Sequence, residues 1–372
     1  MLKIGITGQN GFIGSHLYNT LGLFKDEFEC VLFEKYYFDQ NEKLIEFVNK
    51  CDVIVHLAAI NRHPDAQFIH DTNISLVEKL IKSLQQTQSK AHVIFSSSIQ
   101  EENENLYGKS KLSSREKLTI WSSTSGGIFT GLIIPNVYGP FAKPNYNSVV
   151  STFSYRLINN EETSIDIDSI LKLIYVGDLV KIIIDIIRKK QGNAKLIIRH
   201  TNEITVSNIL LKLIYFKNNY IDNGIIPFLG DHFEINLFNT FRSYIDMENF
   251  FPRIYVKHLD YRGCFVEVVK LGVGGQISFS TTEAGITRGN HFHTRKIERF
   301  IVIKGDALIQ MRKINDDKIL NFNLKGDEPS YVDMPIWYTH NIKNVGEEEL
   351  YTIFWINEFY DENDSDTYLE NV

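Results

Sequence analysis

The chain has 372 residues, of which 43% are hydrophobic and 23% are charged, and its formal net charge is −7. This length exceeds what one hydrophobic core usually supports, so we expect two domains. The acidic balance, without a dense stripe of lysine and arginine, excludes an extended nucleic-acid or anionic-membrane surface, because phosphate binding requires clustered positive charge.

The cysteines and the apolar stretches indicate the compartment. Cys30, Cys51 and Cys264 are odd in number and form no CxxC pair. We therefore expect free thiols rather than a disulfide framework or a thiolate zinc site. No stretch resembles a signal peptide or a membrane span, so we expect a cytoplasmic protein.

The first predicted element is an apolar strand at 3–7, which runs into three glycines before a helix begins at about residue 15. The glycine loop contains Gly8, Gly11, Phe12, Ile13 and Gly14. Glycines let the backbone approach a pyrophosphate, and the helix N-terminus attracts its negative charge. The order of strand, glycine turn and helix therefore predicts a dinucleotide site.

A second strand, at 28–33, ends at Glu34 and Lys35. An acidic residue at this place binds the ribose 2′-hydroxyl of NAD, whereas a basic residue accepts the 2′-phosphate of NADP. Glu34 favours NAD and Lys35 favours NADP, so these residues leave the choice of cofactor open.

The next predicted elements alternate between strands, at 52–57 and 93–95, and helices, at 73–86 and 107–121. Alternation of this kind is typical of a parallel sheet with helices on both faces. The first part of the chain is therefore predicted to be an α/β domain with a doubly wound sheet of the Rossmann type.

Tyr107 and Lys111 lie four residues apart, on one face of the last of these helices. An ammonium beside a phenol stabilises the phenolate, so we expect Lys111 to lower the pKa of Tyr107 and make it a proton donor to a carbonyl. Ser98, at the end of the preceding strand, is placed to hydrogen-bond the same carbonyl oxygen.

Over about residues 1–240 these motifs resemble the extended short-chain dehydrogenase/reductase family. The resemblance implies that Ser98, Tyr107 and Lys111 form the catalytic triplet. It also implies that Asn136 lies at a nucleotide-sugar site. It further implies that Asp52 lies near the adenine of the cofactor and that Leu57 and Ala58 also contact the cofactor.

The alternation of strands and helices is lost near residues 238–252, where we place a domain boundary, giving domains 1–245 and 246–372. Beyond it, short strand-like runs are separated by glycine turns, which predicts an all-β barrel or sandwich. The runs are 264–271, 276–280, 299–303, 307–313, 331–333 and 351–355.

A candidate metal site lies within this β region. His291 and His293 alternate along one strand and therefore point to the same face, and Glu298 and His340 complete the set. Imidazoles with a carboxylate suit a divalent first-row metal such as zinc, manganese, iron or nickel, and we expect zinc. A tetrahedral zinc with four protein ligands would be structural rather than catalytic.

Residues 250–372 resemble the cupin superfamily through this spacing and through Gly285, Gly305 and Asn344. The runs 260–265 and 287–291 also resemble the sugar-nucleotide 3,5-epimerases, which use no metal. In that branch the histidine at the place of His291 is the catalytic base, which competes with its role as a ligand.

The whole chain resembles bifunctional bacterial enzymes that make UDP-N-acetyl-L-talosamine derivatives for capsule or O-antigen. This resemblance includes segment 143–149, with Asn147 as a substrate contact, and the motifs 357–361 and 366–368. It implies a homodimer that acts on a UDP-linked 4-keto-6-deoxy amino sugar. The cupin domain epimerises C3 and the first domain then reduces C4 with NADPH, or alternatively with NADH, giving UDP-N-acetyl-6-deoxy-L-talosamine for UDP-N-acetyl-L-fucosamine and surface polysaccharide.

A C4 ketone acidifies the C3 proton, so epimerisation must precede reduction, which removes the ketone. For the C3 base, Glu267, Tyr338 and a hydroxide on the metal remain alternatives. Two other functions compete with the bifunctional enzyme. One is a reductase whose cupin domain is a structural, dimerising module, and the other is a nucleotide-sensing regulator, which retention of Tyr107 and Lys111 disfavours.

Overall fold

The computed structural model describes residues 1–260, 263–265, 268, 274–358 and 361–372, with the backbone alone at 258–260 and 263–265. Among the described helices, none combines the length and the apolar character that crossing a membrane requires. Cys30 and Cys51 are free thiols, whereas the side chain of Cys264 lies outside the described part.

The first half of the chain alternates strands and helices, as the sequence pattern predicts. In chain order the elements are β1 (Leu2–Thr7), α1 (Phe12–Leu21), β2 (Phe28–Val31), α2 (Asn41–Lys50), β3 (Val53–His56), α3 (Ala66–Gln86), β4 (His92–Ser98), α4 (Leu106–Ser125), β5 (Ile128–Ile134), β6 (Asn136–Tyr138), α5 (Val149–Ile158), β7 (Ile170–Tyr175), α6 (Val176–Lys189), β8 (Asn193–Ile197) and β9 (Asn202–Thr205).

Six of these strands form one sheet, in the order β2-β1-β3-β4-β5-β8, and every neighbouring pair is parallel. Its central strands are buried and rich in valine and isoleucine, as expected for a sheet covered on both faces. One face packs against α1 and α6, and the other against α2, α3 and α4. Because all strands run in one direction, their carboxyl ends meet at one edge, where the loops carry the predicted catalytic residues.

The described part of the second half contains three α-helices, with a π-helix at Lys217–Asp222 between the first two, and then strands. The elements are α7 (Val206–Phe216), α8 (His232–Arg242), α9 (Met247–Phe250), β10 (Arg253–Ile254), β11 (His258–Asp260), β12 (Gly263–Phe265), β13 (Gln276–Thr282), β14 (Thr287–Phe292), β15 (Glu298–Lys304), β16 (Asp306–Lys313), β17 (Ile319–Lys325), β18 (Ser330–Met334), β19 (Tyr338–Asn344), β20 (Leu350–Ile356) and β21 (Tyr368–Leu369).

Most of these strands form two five-stranded antiparallel sheets, ordered β10-β18-β15-β20-β13 and β17-β16-β19-β14-β21. Alternate residues on their strands are buried and apolar, including Phe300, Ile309, Met311 and Ile342. The predicted fold class, a doubly wound parallel sheet followed by an all-β domain of the cupin type, is confirmed. The strand predicted at 264–271 falls largely outside the described residues.

The chain divides into two compact units, one comprising 1–152 and 166–206 and the other comprising 153–165 and 207–372. Helices α7, α8 and α9 therefore belong to the same compact unit as the β-sheets. The boundary at residues 245/246 was inferred from a change in sequence pattern, and as a division between modules it stays a prediction.

Candidate active sites

The glycine loop turns sharply between β1 and α1. Gly8 has φ +78°, a conformation that favours glycine, and its carbonyl accepts a hydrogen bond from the Gly11 amide at 2.9 Å. A Cβ atom on Gly14 would lie 2.2 Å from the Gly8 oxygen. Because no larger residue fits there, α1 can begin at Phe12, directly after the turn, with Ile13 in its first turn. Helix α1 thus starts three residues earlier than predicted, and its amides face the loop.

Leu57 and Ala58 lie beside this loop, as expected for cofactor contacts. The Leu57 amide donates to the Thr7 carbonyl at 3.1 Å, and the Ala58 amide lies 3.4 Å from the Thr7 hydroxyl oxygen. A Cβ atom on Gly8 would lie only 2.9 Å from the Ala58 nitrogen. The ends of β1 and β3 therefore meet closely at the point where the strand order reverses, which is where open α/β sheets bind ligands.

Glu34 and Lys35 follow β2 at the same edge of the sheet. Glu34 is half-buried and immediately precedes a 3-10 helix at Lys35–Asp39, and Lys35 is exposed. Both lie past the carboxyl end of the strand next to β1, where a ribose-binding residue is expected.

Asp52 lies at the opposite edge, and its predicted contact with adenine is wrong. It immediately precedes β3, and its carboxylate accepts a hydrogen bond from the Lys3 amide at 2.8 Å, near the start of β1. Lys3 and Gly8 are separated by most of a strand, about 16 Å at 3.3 Å per residue. The prediction failed because a parallel strand has two unlike ends, and only its carboxyl end faces the ligand crevice.

Ser98, Tyr107 and Lys111 lie around the carboxyl end of β4. Ser98 ends this strand, and its side-chain oxygen accepts a hydrogen bond from the Gln100 amide at 3.2 Å. A Cβ atom on Gly108 would lie 2.0 Å from the Gln100 carbonyl oxygen. Glycine at this place lets α4 approach the turn that follows Ser98, which brings the first turn of the helix towards the serine.

The Lys111 side chain is almost fully buried, and its Nζ donates to the Ser96 carbonyl at 2.8 Å. The same atom lies 5.8 Å from the centre of the Tyr107 ring. Burial lowers the pKa of Lys111 to about 8. The lysine is therefore held at the end of β4 with its ammonium close to the phenol.

The pKa of Tyr107 differs from the sequence-based expectation. Burial, with a smaller contribution from Tyr146, raises it to about 12, whereas Lys111 was expected to lower it. Burial disfavours the phenolate because a charge is poorly solvated away from water. The phenol therefore keeps its proton over the whole neutral range, which suits a proton donor.

A buried ion pair next to Ser98 was not predicted from the sequence. Arg115 donates to both carboxylate oxygens of Glu101, with nitrogen to oxygen distances of 2.9–3.0 Å, and the Ser97 hydroxyl also bonds this carboxylate. The pair anchors the 3-10 turn at Ile99–Glu102 to α4. The sequence contained a signal for Arg115, because it lies four residues after Lys111 and eight after Tyr107 and therefore falls on the same face of the helix.

The predicted substrate contacts, Asn136 and Asn147, are both exposed. Asn136 opens β6, which pairs with β7, and Asn147 lies in the segment before α5. In that segment the Tyr146 and Asn145 carbonyls accept hydrogen bonds from the Arg62 guanidinium at 2.5 and 3.4 Å. Arg62 thus joins the loop after β3 to the segment that carries Asn147.

The predicted metal ligands come together in the second unit. His291, His293, Glu298 and His340 each offer one ligand atom, and these atoms lie within 4.8 Å of one another. His291 on β14 is the direct cross-strand partner of His340 on β19, after an irregularity at Asn290, which has φ +62°. Glu298 begins β15 in the other sheet. The cluster is therefore assembled from β14, β15 and β19 of two sheets, with His293 directly after the end of β14.

Hydrogen bonds on the far side of two imidazoles orient them. The Nδ1 atom of His293 lies 2.5 Å from the Asp366 carbonyl oxygen, and Nδ1 of His340 lies 3.1 Å from the Tyr338 carbonyl oxygen. A carbonyl can only accept, so each Nδ1 carries a proton and each neutral ring presents the lone pair of Nε2. Outer hydrogen bonds of this kind commonly set the tautomer of a metal-binding histidine.

These lone pairs face the Glu298 carboxylate, whose Oε2 lies 3.1 Å from Nε2 of His293 and of His340 and 3.9 Å from Nε2 of His291. The buried Nε2 of His293 is close to this oxygen, but the two are not aligned for a hydrogen bond. Acceptors that converge on one point need a proton or a metal ion between them, and His340 Nε2 is within hydrogen-bond distance of the carboxylate. The residues present therefore fit a divalent metal, because nitrogen and carboxylate oxygen are the donors that zinc prefers.

The pKa shifts of Glu298 and of two histidines show which groups of the cluster are charged. Burial favours the neutral form of Glu298, but its close contacts with the three histidines outweigh burial and hold its pKa well below its usual range. Burial lowers the pKa of His340. Burial also lowers the pKa of His293, but the neighbouring Glu298 carboxylate has the larger effect and raises this pKa above its usual value. Glu298 is therefore charged, and a metal that binds here would displace the proton that the carboxylate favours on His293.

Of the candidate bases for the C3 proton, Tyr338 lies two residues before His340 on β19 and therefore faces the same side of the strand. It is partly buried. Glu267 lies outside the described residues, as do Tyr261, Arg262 and Tyr360 of the motifs at 260–265 and 357–361.

Two family models match separate parts of the chain. Residues 4–198 match the NAD dependent epimerase/dehydratase family, and residues 258–368 match the polysaccharide biosynthesis C-terminal domain. The first match ends directly after β8, the last strand of the parallel sheet, and the second contains all four predicted metal ligands.

Individual proteins are similar over the full length. The UDP-2-acetamido-2,6-beta-L-arabino-hexul-4-ose reductase of Pseudomonas aeruginosa is 31% identical over 373 residues, covering 100% of this chain and 99% of its own. The crystal structure of the capsular polysaccharide assembling protein CapF from Staphylococcus aureus is 33% identical over 100% of both chains, with a TM-score of 0.63.

The UDP-glucose 4-epimerase of Thermotoga maritima, solved with UDP-glucose, covers 58% of this chain and 83% of its own, with a TM-score of 0.52. At 23% identity this likeness shows the fold alone.

Proposed function

Because the chain belongs to the NAD dependent epimerase/dehydratase family, we propose that its first unit reduces the C4 ketone of a UDP-linked 4-keto-6-deoxy amino sugar. The observation that carries this proposal is the meeting of the glycine loop, Ser98, Tyr107 and Lys111 at one edge of the parallel sheet. The similarity to a full-length relative named as a UDP-keto-sugar reductase supports the substrate class.

Bound NADPH would supply the hydride. The glycine loop and the amides of α1 would hold its pyrophosphate, and Glu34 and Lys35 would lie at its ribose. Because its pKa is about 12, Tyr107 is protonated at neutral pH, and it donates this proton to the ketone oxygen as the alkoxide forms. Ser98 accepts from Gln100, which directs its own O–H towards the same oxygen. The Lys111 ammonium stabilises the phenolate left behind.

The pH profile of the reduction is expected to report Lys111. The ammonium is the charged form, so it is present below the lowered pKa of about 8 and lost above it. We expect kcat/KM to be level below pH 8 and to fall about tenfold per pH unit above it, as for a single essential ionisation. NADPH oxidation followed between about pH 6 and pH 10 tests this.

Lys111→Arg is the matched variant, because a guanidinium stays charged throughout that range. Its profile should lack the fall above pH 8, whatever its absolute rate. A wild-type profile that stays level to pH 10 would contradict the assignment.

We further propose that the second unit epimerises C3 of the same sugar before reduction. A ketone at C4 makes the C3 proton acidic, and a divalent metal held by His291, His293, Glu298 and His340 would stabilise negative charge on the ketone oxygen. His293 and His340 are buried while His291 and Glu298 are partly buried, and Tyr338 lies on the same face of β19 to move a proton. The product would be UDP-N-acetyl-6-deoxy-L-talosamine, a precursor of UDP-N-acetyl-L-fucosamine and surface polysaccharide.

Incubating the purified full chain with the 4-keto UDP-sugar in deuterated water, without NADPH, tests the epimerase. We expect deuterium at C3, detected by NMR, and on adding NADPH or NADH a 4-hydroxy product inverted at C3. Loss of NADPH absorbance without any C3 exchange would reject the epimerase and leave the reductase standing.

That second result is what a reductase with a structural β-domain predicts, and one observation favours it: the Pseudomonas aeruginosa relative is named for reduction alone. In this alternative the β-domain serves dimerisation. Strand β13 lies at the edge of its sheet among the described strands, and its Ile277 and Phe279 are 58% and 74% exposed. An exposed apolar edge strand suits pairing with a second copy.

A further inference from the structure

Asp366 lies beside the histidine cluster and has an unusually complete set of partners. It is 3% exposed, and its carboxylate accepts four hydrogen bonds from the short loop that joins β14 to β15. The backbone amides of Thr294, Arg295 and Lys296 each donate at 3.0 Å, and the Thr294 hydroxyl donates at 2.6 Å. This loop connects His293 to Glu298, so one carboxylate fixes the path of the chain between two metal ligands.

The backbone of Asp366 makes the second contact. Its carbonyl oxygen accepts the Nδ1 proton of His293 at 2.5 Å. The side chain of one residue therefore holds the loop, while its main chain sets the tautomer of the ligand at the start of that loop. Hydrogen bonds to a buried carboxylate are charge-assisted and directional, so Asp366 cannot shift without moving His293.

The segment around Asp366 runs along the cluster. The Lys296 ammonium donates to the Ser365 carbonyl at 2.7 Å, and Leu369 on β21 is the cross-strand partner of His291. The Glu370 amide donates to the Asn290 carbonyl at 3.0 Å. Segment 365–370 is thus tied to the loop after His293 on one side of Asp366, and to β14, which carries His291, on the other side.

We propose that Asp366 is a positioning residue of the metal site, which holds His293 and the loop to Glu298 in the geometry that binds the ion. This inference rests on the proposed metal function of the cluster. It assigns a role to a residue 68 positions beyond Glu298, in a segment that contributes no ligand itself. Outer residues that orient a metal-binding histidine typically change metal affinity by about 10–100-fold when replaced.

The test is zinc binding to the full chain, measured by competition with a chromophoric chelator. Asp366→Asn keeps the size of the side chain but turns an N–H group towards backbone donors, so we expect zinc to bind about 10–100-fold more weakly. Asp364→Asn is the matched control, because Asp364 lies two residues before Asp366 and is exposed, and its carboxylate accepts a hydrogen bond from the Arg295 guanidinium at 2.9 Å. We expect its zinc affinity to match the wild type.

The cobalt(II) form supplies a readout that general loss of stability would not move. We expect the visible absorption bands of the cobalt protein, which report ligand geometry, to change in Asp366→Asn and not in Asp364→Asn. Equal zinc affinity and equal cobalt spectra for both variants would overturn the inference. Failure of the wild type to bind either metal would instead overturn the proposed metal site, so the two failures are distinguishable.

If Asp366→Asn does not fold, Thr294 offers a gentler pair. Thr294→Val removes one donor to Asp366, whereas Thr294→Ser retains the hydroxyl. Weaker zinc binding by the valine variant than by the serine variant supports the role of Asp366, and equal binding overturns it.

Discussion

Tyr107→Phe should lower kcat for NADPH-dependent ketone reduction by about 10²–10⁴-fold, the usual contribution of a positioned proton donor. The phenylalanine fits the same space, so the dissociation constant of NADPH should hardly change. The measurement is the rate of NADPH oxidation with the 4-keto sugar, accompanied by a cofactor titration.

Tyr146→Phe is the control, because Tyr146 is close enough to influence the pKa of Tyr107 but lies outside the predicted triplet. It should retain most of the activity. Exchange of the C3 proton should persist in Tyr107→Phe, since that step is proposed to use the other unit. A Tyr107→Phe enzyme that reduces the ketone at the wild-type rate would remove Tyr107 from the mechanism.

The second large effect is expected for His340→Ala. This side chain is fully buried in the cluster, and losing one of four ligands should release the metal from the purified protein. A Lewis acid contributes several kcal/mol and each ~1.4 kcal/mol is a factor of ten, so C3 exchange should slow by about 10²–10³-fold or more. Metal content and C3 deuterium incorporation are the measurements.

His232→Ala controls for the loss of a histidine, because His232 is exposed at the start of α8 and far along the chain from the cluster. It should keep both metal and exchange. Treating the wild type with a chelator should reproduce the His340→Ala phenotype, and added zinc should reverse it. Exchange that continues at full rate in metal-free protein would show that the metal is structural.

The four predicted metal ligands show what can be predicted from the spacing of residues in the sequence. The alternation of His291 and His293 predicted a common face, and Glu298 and His340 were assigned by the full motif. The folded chain places all four ligand atoms within 4.8 Å of one another. Similarly, the separation of the glycines predicted a turn that the structure contains. The pairing of His291 with His293 and the glycine turn depend on local backbone geometry, whereas Glu298 and His340 were found only through the resemblance of the full motif to the cupins.

The predictions about Asp52 and the pKa of Tyr107 failed for a different reason. The first required knowing at which end of a strand a residue lies relative to the crevice. The second required knowing how deeply the phenol is buried, and burial outweighed the neighbouring lysine. Neither quantity can be obtained from the spacing of two residues in one segment.

Residue types and their intervals were therefore sufficient to predict two fold classes, a nucleotide loop and a ligand set. They could not predict the groups that hold these sites in place. Glu101 meets Arg115 fourteen positions away, and Asp366 meets His293 seventy-three positions away. Such contacts form only when separate elements pack, because burial and hydrogen bonding across them depend on the whole arrangement of the chain within each unit. Short motifs therefore identify the residues that carry the chemistry, whereas the residues that position them are determined only by how the folded chain packs.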